Sequence, residues 1–250
     1  MTSPGNCDMT GTVGDTKILA VIPARGGSKG ILGKNIKRFC GKPLLAYTAE
    51  SAIRSNMVSK TILSTDDKEI AKVGRGCGVE VPFLRPDELA TDMCPALPVI
   101  IHAVEYMEKV ESFFPNYVIL LQPTSPFRTS QHIDEALATL INSDADSIVS
   151  VTEVPHAFNP YSVMQLQDGC LNNFLAYDEK NNIRQKKPVF YGRNGAAIYA
   201  FSRECLMEKN SLYGDKILPY FMDRAESLDI DDEWDWNLAT LLYEQKYHGK

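Results

Sequence analysis

Short apolar runs without strict alternation recur in the first part of the chain, with apolar residues at helical spacing between them. The runs at 17–24, 60–65 and 116–124 are typical of strands that are buried on both faces. The stretches 43–56 and 96–110 carry the helical spacing instead. This alternation of strand and helix predicts an α/β fold, with a mostly parallel sheet flanked by helices.

The same pattern extends the predicted sheet. Residues 79–84 read as a third strand after a helix that closes at glycine, and 146–154 and 196–202 have the texture of further buried strands. A short strand at 227–230 precedes a final amphipathic helix. Trp234 and Trp236 are interpreted as packing residues of that helix.

Two segments depart from the pattern. Residues 1–16 are small, polar and rich in turn formers, which predicts a flexible extension before a single domain over 17–250. From about Pro155 to residue 192 the chain is rich in Asn, Gln, Tyr and Pro, with only short strand-like pieces. This texture predicts an insertion, with a small antiparallel arm.

Composition narrows the class of partner. The apolar fraction is 44%, the charged fraction 23% and the formal net charge −6, which disfavours a nucleic-acid partner. No run approaches the roughly 18–20 apolar residues of a membrane span, and residues 1–16 do not resemble a secretory signal. The six cysteines are scattered without a CxxC pair, as expected for free thiols in a reducing cytosol.

Polar clusters follow three predicted strands, at the sheet edge where ligands of open parallel sheets bind. The first, "ARGGSKG", combines flexible glycine backbone with Arg25 and Lys29, and Lys34 follows it. In an acidic protein this concentration of cations favours a polyanion such as a triphosphate over a solvated turn. The loop matches neither the Walker A sequence nor the GxGxxG fingerprint.

Acidic residues before the last helix suggest a metal. Asp229 and Asp231 alternate with apolar residues, so an extended segment would project both carboxylates from one face. Two such oxygen ligands suit Mg²⁺, which completes its shell with water and phosphate oxygens. Asp232 is expected to cap the helix, and Glu233 and Asp235 to interact with its dipole.

Other polar residues allow two readings each. The other two clusters are "STDD", after the second predicted strand, and "QPTSPFR", after the fifth. Gln122, in "QPTSPFR", offers a donor and an acceptor to a polar substrate, or is a satisfied loop residue. Arg184 and Arg193 are candidates to pair with a carboxylate, or lie on the surface. Arg85 is ambiguous by itself.

Taken in order, six motifs resemble the acylneuraminate cytidylyltransferases, or CMP-sialic acid synthetases, a family that includes CMP-legionaminic acid synthetases. The resemblance covers residues 17 to 246. The motifs are "IPARGGSKGILGKNI", "STDDKEIA", "LRPDELATD", "LLQPTSPFRT", "RNGAAIY" and "SLDIDDEWDW".

The resemblance implies a Rossmann-like nucleotidyltransferase fold with a dimerisation insertion at about 155–192. It implies transfer of CMP from CTP to the anomeric hydroxyl of a nine-carbon 2-keto sugar acid, with release of pyrophosphate and with Mg²⁺ as cofactor. It also implies a cytoplasmic homodimer.

Site roles carry over from the family by motif. The nucleotide-binding set is Arg25, Ser28, Lys29, Lys34, Asn35 and Arg85, and the sugar-binding set is Gln122, Arg184, Tyr199, Leu212 and Tyr213. Asp229 and Asp231 are the expected metal ligands. Arg25, Lys34 and Asp231 are the expected catalytic residues.

One departure from the family pattern and two open questions, the sugar and the rival functions, stand at this point. Leu32 replaces a proline that many members have, which is expected to tune affinity. The sugar could be N-acetylneuraminic acid or an analogue such as legionaminic acid. The nearest rivals are a cytidylyltransferase for another keto-sugar acid such as KDO, another sugar-nucleotide pyrophosphorylase, and a nucleotide-binding protein without catalysis.

Overall fold

The computed structural model describes residues 16–176 and 187–247. The strands are β1 (Ile18–Pro23), β2 (Arg38–Phe39), β3 (Lys42–Pro43), β4 (Lys60–Ser64), β5 (Tyr117–Leu120), β6 (Ser147–Glu153), β7 (Met164–Gln167), β8 (Cys170–Asn173), β9 (Tyr191–Arg193), β10 (Tyr199–Ser202) and β11 (Ile217–Phe221). The helices are α1 (Leu44–Ile53), α2 (Lys68–Gly76), α3 (Ala96–Lys109), α4 (Ser130–Ile141), α5 (Arg203–Met207) and α6 (Glu233–Tyr247). None of these helices is both long and apolar enough to cross a bilayer.

A central sheet organises the domain, in the order β11–β6–β10–β5–β1–β4, with β9 pairing the end of β6. β1 runs parallel to both β4 and β5, and β6 runs parallel to β11. β10 lies antiparallel between β5 and β6. The predicted α/β class with a mostly parallel sheet is confirmed.

β1 shows why its apolar run does not alternate with polar residues. Ile18, Ala20 and Ile22 pack in the cluster that contains buried residues of α1 and α4. Leu19 and Val21 pack on the opposite face, with buried residues of α3. Both faces of the strand are covered by helices, so every position is apolar.

A third apolar cluster joins the start of α1 to α6. The ring of Phe39 meets the ring of Trp236 edge to face, with centroids 5.4 Å apart. Trp236 therefore packs as predicted. Trp234 does not, because 69% of its surface is exposed.

Two predicted strands are wrong. Residues 79–84 make a single bridge, between Glu80 and Ile62, and Pro82, which has no amide hydrogen, cannot continue the pairing. Residues 227–230 form no strand, although the Ile230 amide donates to the Thr124 carbonyl over 2.9 Å. Strand β11 lay outside the predicted set. Its residues alternate between exposed and half-buried, which is typical of an edge strand.

The predicted insertion contains the antiparallel pair β7–β8, in which Leu166 lies opposite Leu171. All residues of both strands are exposed. Residues 1–15 of the predicted extension lie outside the described residues.

Candidate active site

A cavity of about 430 Å³ opens where β1, β4 and β5 end. Its walls come from the loop after β1, the start of α3, and the segments that follow β5 and precede β10 and α6. The polar residues that line it are Arg25, Ser28, Lys29, Lys34, Asn35, Arg85, Cys94, Gln122, Thr124, Asp229 and Asp231. The structure thus brings together the whole predicted nucleotide-binding set, Gln122 and both predicted metal ligands.

The cation loop, residues 25–35, is fixed by bonds across its own length and to the segment before α6. The buried Asn35 side chain donates to the Arg25 carbonyl over 3.1 Å. The Lys34 ammonium donates to the Ile230 carbonyl over 2.6 Å. A Cβ on Gly30 would lie 2.2 Å from the Asp231 carbonyl oxygen, so this close approach needs glycine.

Positive charge in the loop is only partly balanced by carboxylates. Arg25 and Lys29 both pair with Asp92, on the loop that precedes α3. These two cations hold the pKa of Asp92 below its usual range. The Lys34 ammonium lies 3.3 Å from an oxygen of Asp231. The loop therefore presents three cations to the cavity, which suits a ligand with several negative charges.

Arg85 adds a fourth cation, and it is buried. Its guanidinium donates to the Ser64 hydroxyl over 3.1 Å and to the Leu89 carbonyl over 3.4 Å, so it is anchored at the end of β4. Burial is the largest cause that lowers its pKa, and the charge of Arg25 adds to it. A cation held in place by neutral groups keeps its charge free for a ligand.

Asp229 and Asp231 differ in exposure. The Asp231 side chain is 77% exposed. One oxygen of Asp229 is buried with no hydrogen-bond partner in the described chain, and Gly195, at φ +68°, leaves no room for a Cβ above its other oxygen. Burial raises the pKa of Asp229, and the nearby charge of Asp231 raises it further.

This pair of carboxylates fits Mg²⁺. A buried carboxylate oxygen without a partner, next to an exposed carboxylate, is the kind of hard oxygen donor that this ion prefers. Within 16–176 and 187–247, no group of three or more His, Cys, Asp or Glu side chains could hold a metal. Mg²⁺ commonly completes its shell with water and phosphate oxygens beside one or two carboxylates.

The next acidic residues cap α6, as predicted for Asp232. An oxygen of Asp232 accepts from the amides of Trp234 and Asp235, at 2.9 and 3.0 Å. In turn, the Asp235 carboxylate accepts a hydrogen bond from the backbone amide of Asp232 over 3.2 Å. This is a reciprocal capping box.

The other predicted sugar-binding residues lie outside the cavity wall. Tyr199 and Leu212 are buried in the apolar cluster on the α3 face, and Tyr213 packs beside them. Tyr199 pairs with Leu120, so it stands at the same edge of the sheet as Gln122. The Arg193 guanidinium lies 5.4 Å from the centre of the Tyr213 ring. Arg184 lies outside the described residues.

Sequence reasoning missed Asp92, Asn194 and Arg128. Asn194 is buried and donates to the Ser227 hydroxyl over 3.0 Å, which holds the turn beside Asp229. Arg128 is 3% exposed. A single arginine or aspartate in a loop gives no local signal of burial or of a distant partner.

Comparison with known proteins identifies the family. The cytidylyltransferase family profile matches residues 19–231. An N-acylneuraminate cytidylyltransferase of Escherichia coli O18:K1:H7 is 38% identical over 94% of this chain, which spans 54% of that protein. A CMP-N,N'-diacetyllegionaminic acid synthase of Legionella pneumophila is 35% identical over 91% of this chain and 97% of its own length.

A solved structure supports the fold. It is the CMP:2-keto-3-deoxy-manno-octonic acid synthetase complexed with CTP, with a TM-score of 0.69 and 18% identity. The alignment covers 92% of this chain and 100% of that one. The match to the family profile confirms the resemblance drawn from the motifs: this chain belongs to the cytidylyltransferase family.

Proposed function

We propose that this protein transfers CMP from CTP to the anomeric hydroxyl of a nine-carbon 2-keto sugar acid and releases pyrophosphate. The observation that carries the proposal is the convergence of the cations Arg25, Lys29 and Lys34 with the carboxylates Asp229 and Asp231 on one cavity. The relatives named for N-acylneuraminate and N,N'-diacetyllegionaminic acid support a nine-carbon acceptor.

In the proposed reaction, the anomeric hydroxyl gives up its proton to water and its oxygen forms a bond to the α-phosphorus. The bond from that phosphorus to the pyrophosphate oxygen breaks. Arg25, Lys29 and Lys34 hold the triphosphate and balance its charge as pyrophosphate leaves. Asp229 and Asp231 would hold Mg²⁺, which supplies further charge neutralisation on the phosphates. Catalysis is then mainly positioning and electrostatics, and it needs no histidine.

Binding of CTP requires an exchange of partners at the mouth of the cavity. Arg25 and Lys29 are both paired with Asp92 in the structure. Phosphate oxygens carry more negative charge than one carboxylate and can replace it on both cations. Asp92 therefore moves away from the loop when the nucleotide enters.

The acceptor side is proposed to be completed by a second copy of the chain. Met164, Leu166, Leu171 and Phe174 are exposed apolar residues of the insertion, between 48% and 68% exposed. Such a group of apolar side chains is typical of a protein interface. In a cytoplasmic homodimer built through this insertion, Arg184 would reach the partner's site and pair with the sugar carboxylate.

The test is pyrophosphate release with CTP, Mg²⁺ and, in separate reactions, N-acetylneuraminic acid, N,N'-diacetyllegionaminic acid and KDO. Release with a nine-carbon acid supports the proposal and names the sugar. Release with KDO alone moves the protein to the octonic acid branch. Binding of CTP without release with any acid would favour the nucleotide-binding alternative.

A further inference from the structure

Arg128 is a buried cation whose hydrogen-bond partners are all neutral. It donates to the Gln122 carbonyl over 3.2 Å, to the Ala197 carbonyl over 2.7 Å and to the hydroxyl of Thr48. Its Nε atom is buried without a partner in the described chain. Burial lowers the pKa of Arg128 to about 9, although the charge of Asp229 opposes this.

This arrangement is costly if its only purpose is to hold the fold together. Removing a guanidinium from water is unfavourable, and apolar residues of similar volume often stabilise a core as well or better than buried charges. A cation kept in such a place therefore calls for an additional role. The groups that it holds indicate which role this is.

The bonds of Arg128 join two segments that form the wall of the cavity. One is the end of β5, which carries Gln122, and the other is the turn before β10, which carries Ala197. The Gln122 amide donates to the Ala196 carbonyl over 3.2 Å, so the same two segments are also joined directly.

Thr48, on α1, completes the arrangement. Its hydroxyl accepts from Arg128 and donates to the Gln122 carbonyl over 3.2 Å. The backbone carbonyl of Gln122 thus accepts two hydrogen bonds, and its backbone amide donates a third. Thr48 is fully buried, so water cannot replace these bonds. The backbone at Gln122 is held from both sides, and Gln122 is one of the residues that line the cavity.

We propose that Arg128 and Thr48 are positioning residues that fix Gln122 for recognition of the sugar acid. The inference rests on the proposed function, and it assigns these two buried side chains to the acceptor side of the site. A purely structural role predicts weaker binding of both substrates. A positioning role predicts that the sugar acid is affected and CTP is not.

The test uses a pair of variants at Thr48, because a variant at Arg128 can fail to fold. Thr48→Val keeps the shape and removes the hydroxyl, and Thr48→Ser keeps the hydroxyl. We expect Thr48→Val to raise KM for the sugar acid roughly 10-fold, the scale of one lost hydrogen bond. Affinity for CTP, measured by calorimetry, stays within about twofold. Thr48→Ser remains close to wild type.

Arg128→Lys keeps the charge and loses the forked geometry, so it is expected to raise the same KM. In the double variant with Thr48→Val the two effects are less than additive, because both act through Gln122. Folded variants with an unchanged KM for the sugar acid would overturn the proposal. An equal loss of affinity for CTP would do the same.

Amide hydrogen exchange gives a second readout that needs no sugar acid. In Thr48→Val and Arg128→Lys, peptides that span 120–126 and 196–200 are expected to exchange faster, while peptides of α2 are unchanged. Unchanged exchange at 120–126 would show that Thr48 and Arg128 do not hold the Gln122 segment. It would overturn the proposal even if wild type turned over none of the tested acids. If wild type is inactive and the variants exchange faster, the proposed function is contradicted, whereas the hold of Thr48 and Arg128 on the Gln122 segment is supported.

Discussion

The cation loop and the arm, residues 155–192, are built in opposite ways. In the cation loop, Asn35 and Lys34 are bonded to backbone carbonyls, and Gly30 lies against the segment before α6. In the arm, every residue of β7 and β8 is exposed. The loop completes its contacts within one chain. The arm presents apolar side chains that this chain does not cover.

The difference suggests how the two substrates divide the molecule. The charges proposed for the nucleotide come from loops at the end of one sheet, so a single chain can assemble them. Tyr199, Leu212 and Tyr213 do not line the cavity, and Arg184 of the arm lies outside the described residues. Under the proposed function, the nucleotide half belongs to one chain and the sugar half needs two.

The largest expected effect is at Asp231. Asp231→Ala is expected to reduce turnover by roughly 10²–10³-fold, the range seen when one group that stabilises transition-state charge is removed. Its side chain is 77% exposed, so the fold should tolerate the change. Pyrophosphate release measures the rate.

The matched control is the next residue. Asp232→Ala removes a helix cap, which costs about 1 kcal/mol of stability, and leaves turnover within about threefold. A wild-type rate in Asp231→Ala, or an equal loss of rate in Asp232→Ala, would contradict the separation of metal ligand from cap.

Arg25→Ala tests the cation loop itself. It is expected to cost about 2–4 kcal/mol of transition-state stabilisation, or a decrease of about 30- to 1,000-fold in kcat/KM for CTP. Arg38→Ala is the control, because Arg38 is exposed and donates to the Gly41 carbonyl within the β2–β3 hairpin. Loss of folding in Arg25→Ala would show that the loop is a structural element.

Substitutions in the arm test whether its exposed apolar residues form a dimer interface. Leu166→Glu with Leu171→Glu places two charges on a cross-strand pair that is 68% and 63% exposed. We expect the dissociation constant of the proposed dimer to rise at least about 10-fold, since unpaired charge is costly at an apolar interface. Sedimentation velocity measures the change.

The same arm variant should raise KM for the sugar acid more than KM for CTP. Thr139→Glu, on an exposed surface of α4, controls for added charge. If the wild-type protein is monomeric at all concentrations, the proposal that the sugar site needs two chains while the nucleotide site needs one is contradicted.

The smallest expected effect is on the pH dependence of folding stability, through His102, which lies near the cavity residue Arg85. The pKa of His102 is lowered from 6.5, chiefly by burial and then by the charge of Arg85. Below about pH 6.5 the unfolded chain therefore binds a proton more readily than the folded one, and stability is lost as the pH falls towards the lower folded pKa.

His102→Gln should make the unfolding temperature less sensitive to pH between about 7.5 and 5.5. The unfolding temperature of the variant is expected to fall less steeply towards pH 5.5 than that of wild type. His132 retains its own contribution in that variant, because burial lowers its pKa as well. An identical pH dependence in the two proteins would contradict the assignment.

Much of the fold could be predicted because it has a local signal. Buried strands read as short apolar runs, helices as spaced apolar residues, and the polar clusters fall where strands end. Asp232 was predicted as a cap from its place before the helix. Convergence of Arg25 and Gln122 on one edge follows from the parallel order of β1 and β5, because each residue lies just after its strand. Asp229 and Asp231 follow no strand, so only the family resemblance placed them in the same site.

The remaining features depend on partners far away in sequence. Asp92 meets Arg25 across 67 residues, and Arg128 meets Thr48 across 80. β11 is an edge strand whose pairing with β6 sets its place, and its half-buried texture does not distinguish it from a loop. The predicted strand at 79–84 is wrong because its apolar residues do not reveal how far it can pair. Pro82 has no amide hydrogen and limits the pairing to a single bridge.

The most direct test is a crystal structure with CTP and Mg²⁺. It should show the triphosphate within hydrogen-bond distance of Arg25 and Lys34, the metal between the phosphates and Asp229 and Asp231, and Asp92 released from the loop. A nucleotide bound elsewhere, with Asp92 still paired to Arg25 and Lys29, would contradict the assignment of this cavity to cytidylyl transfer.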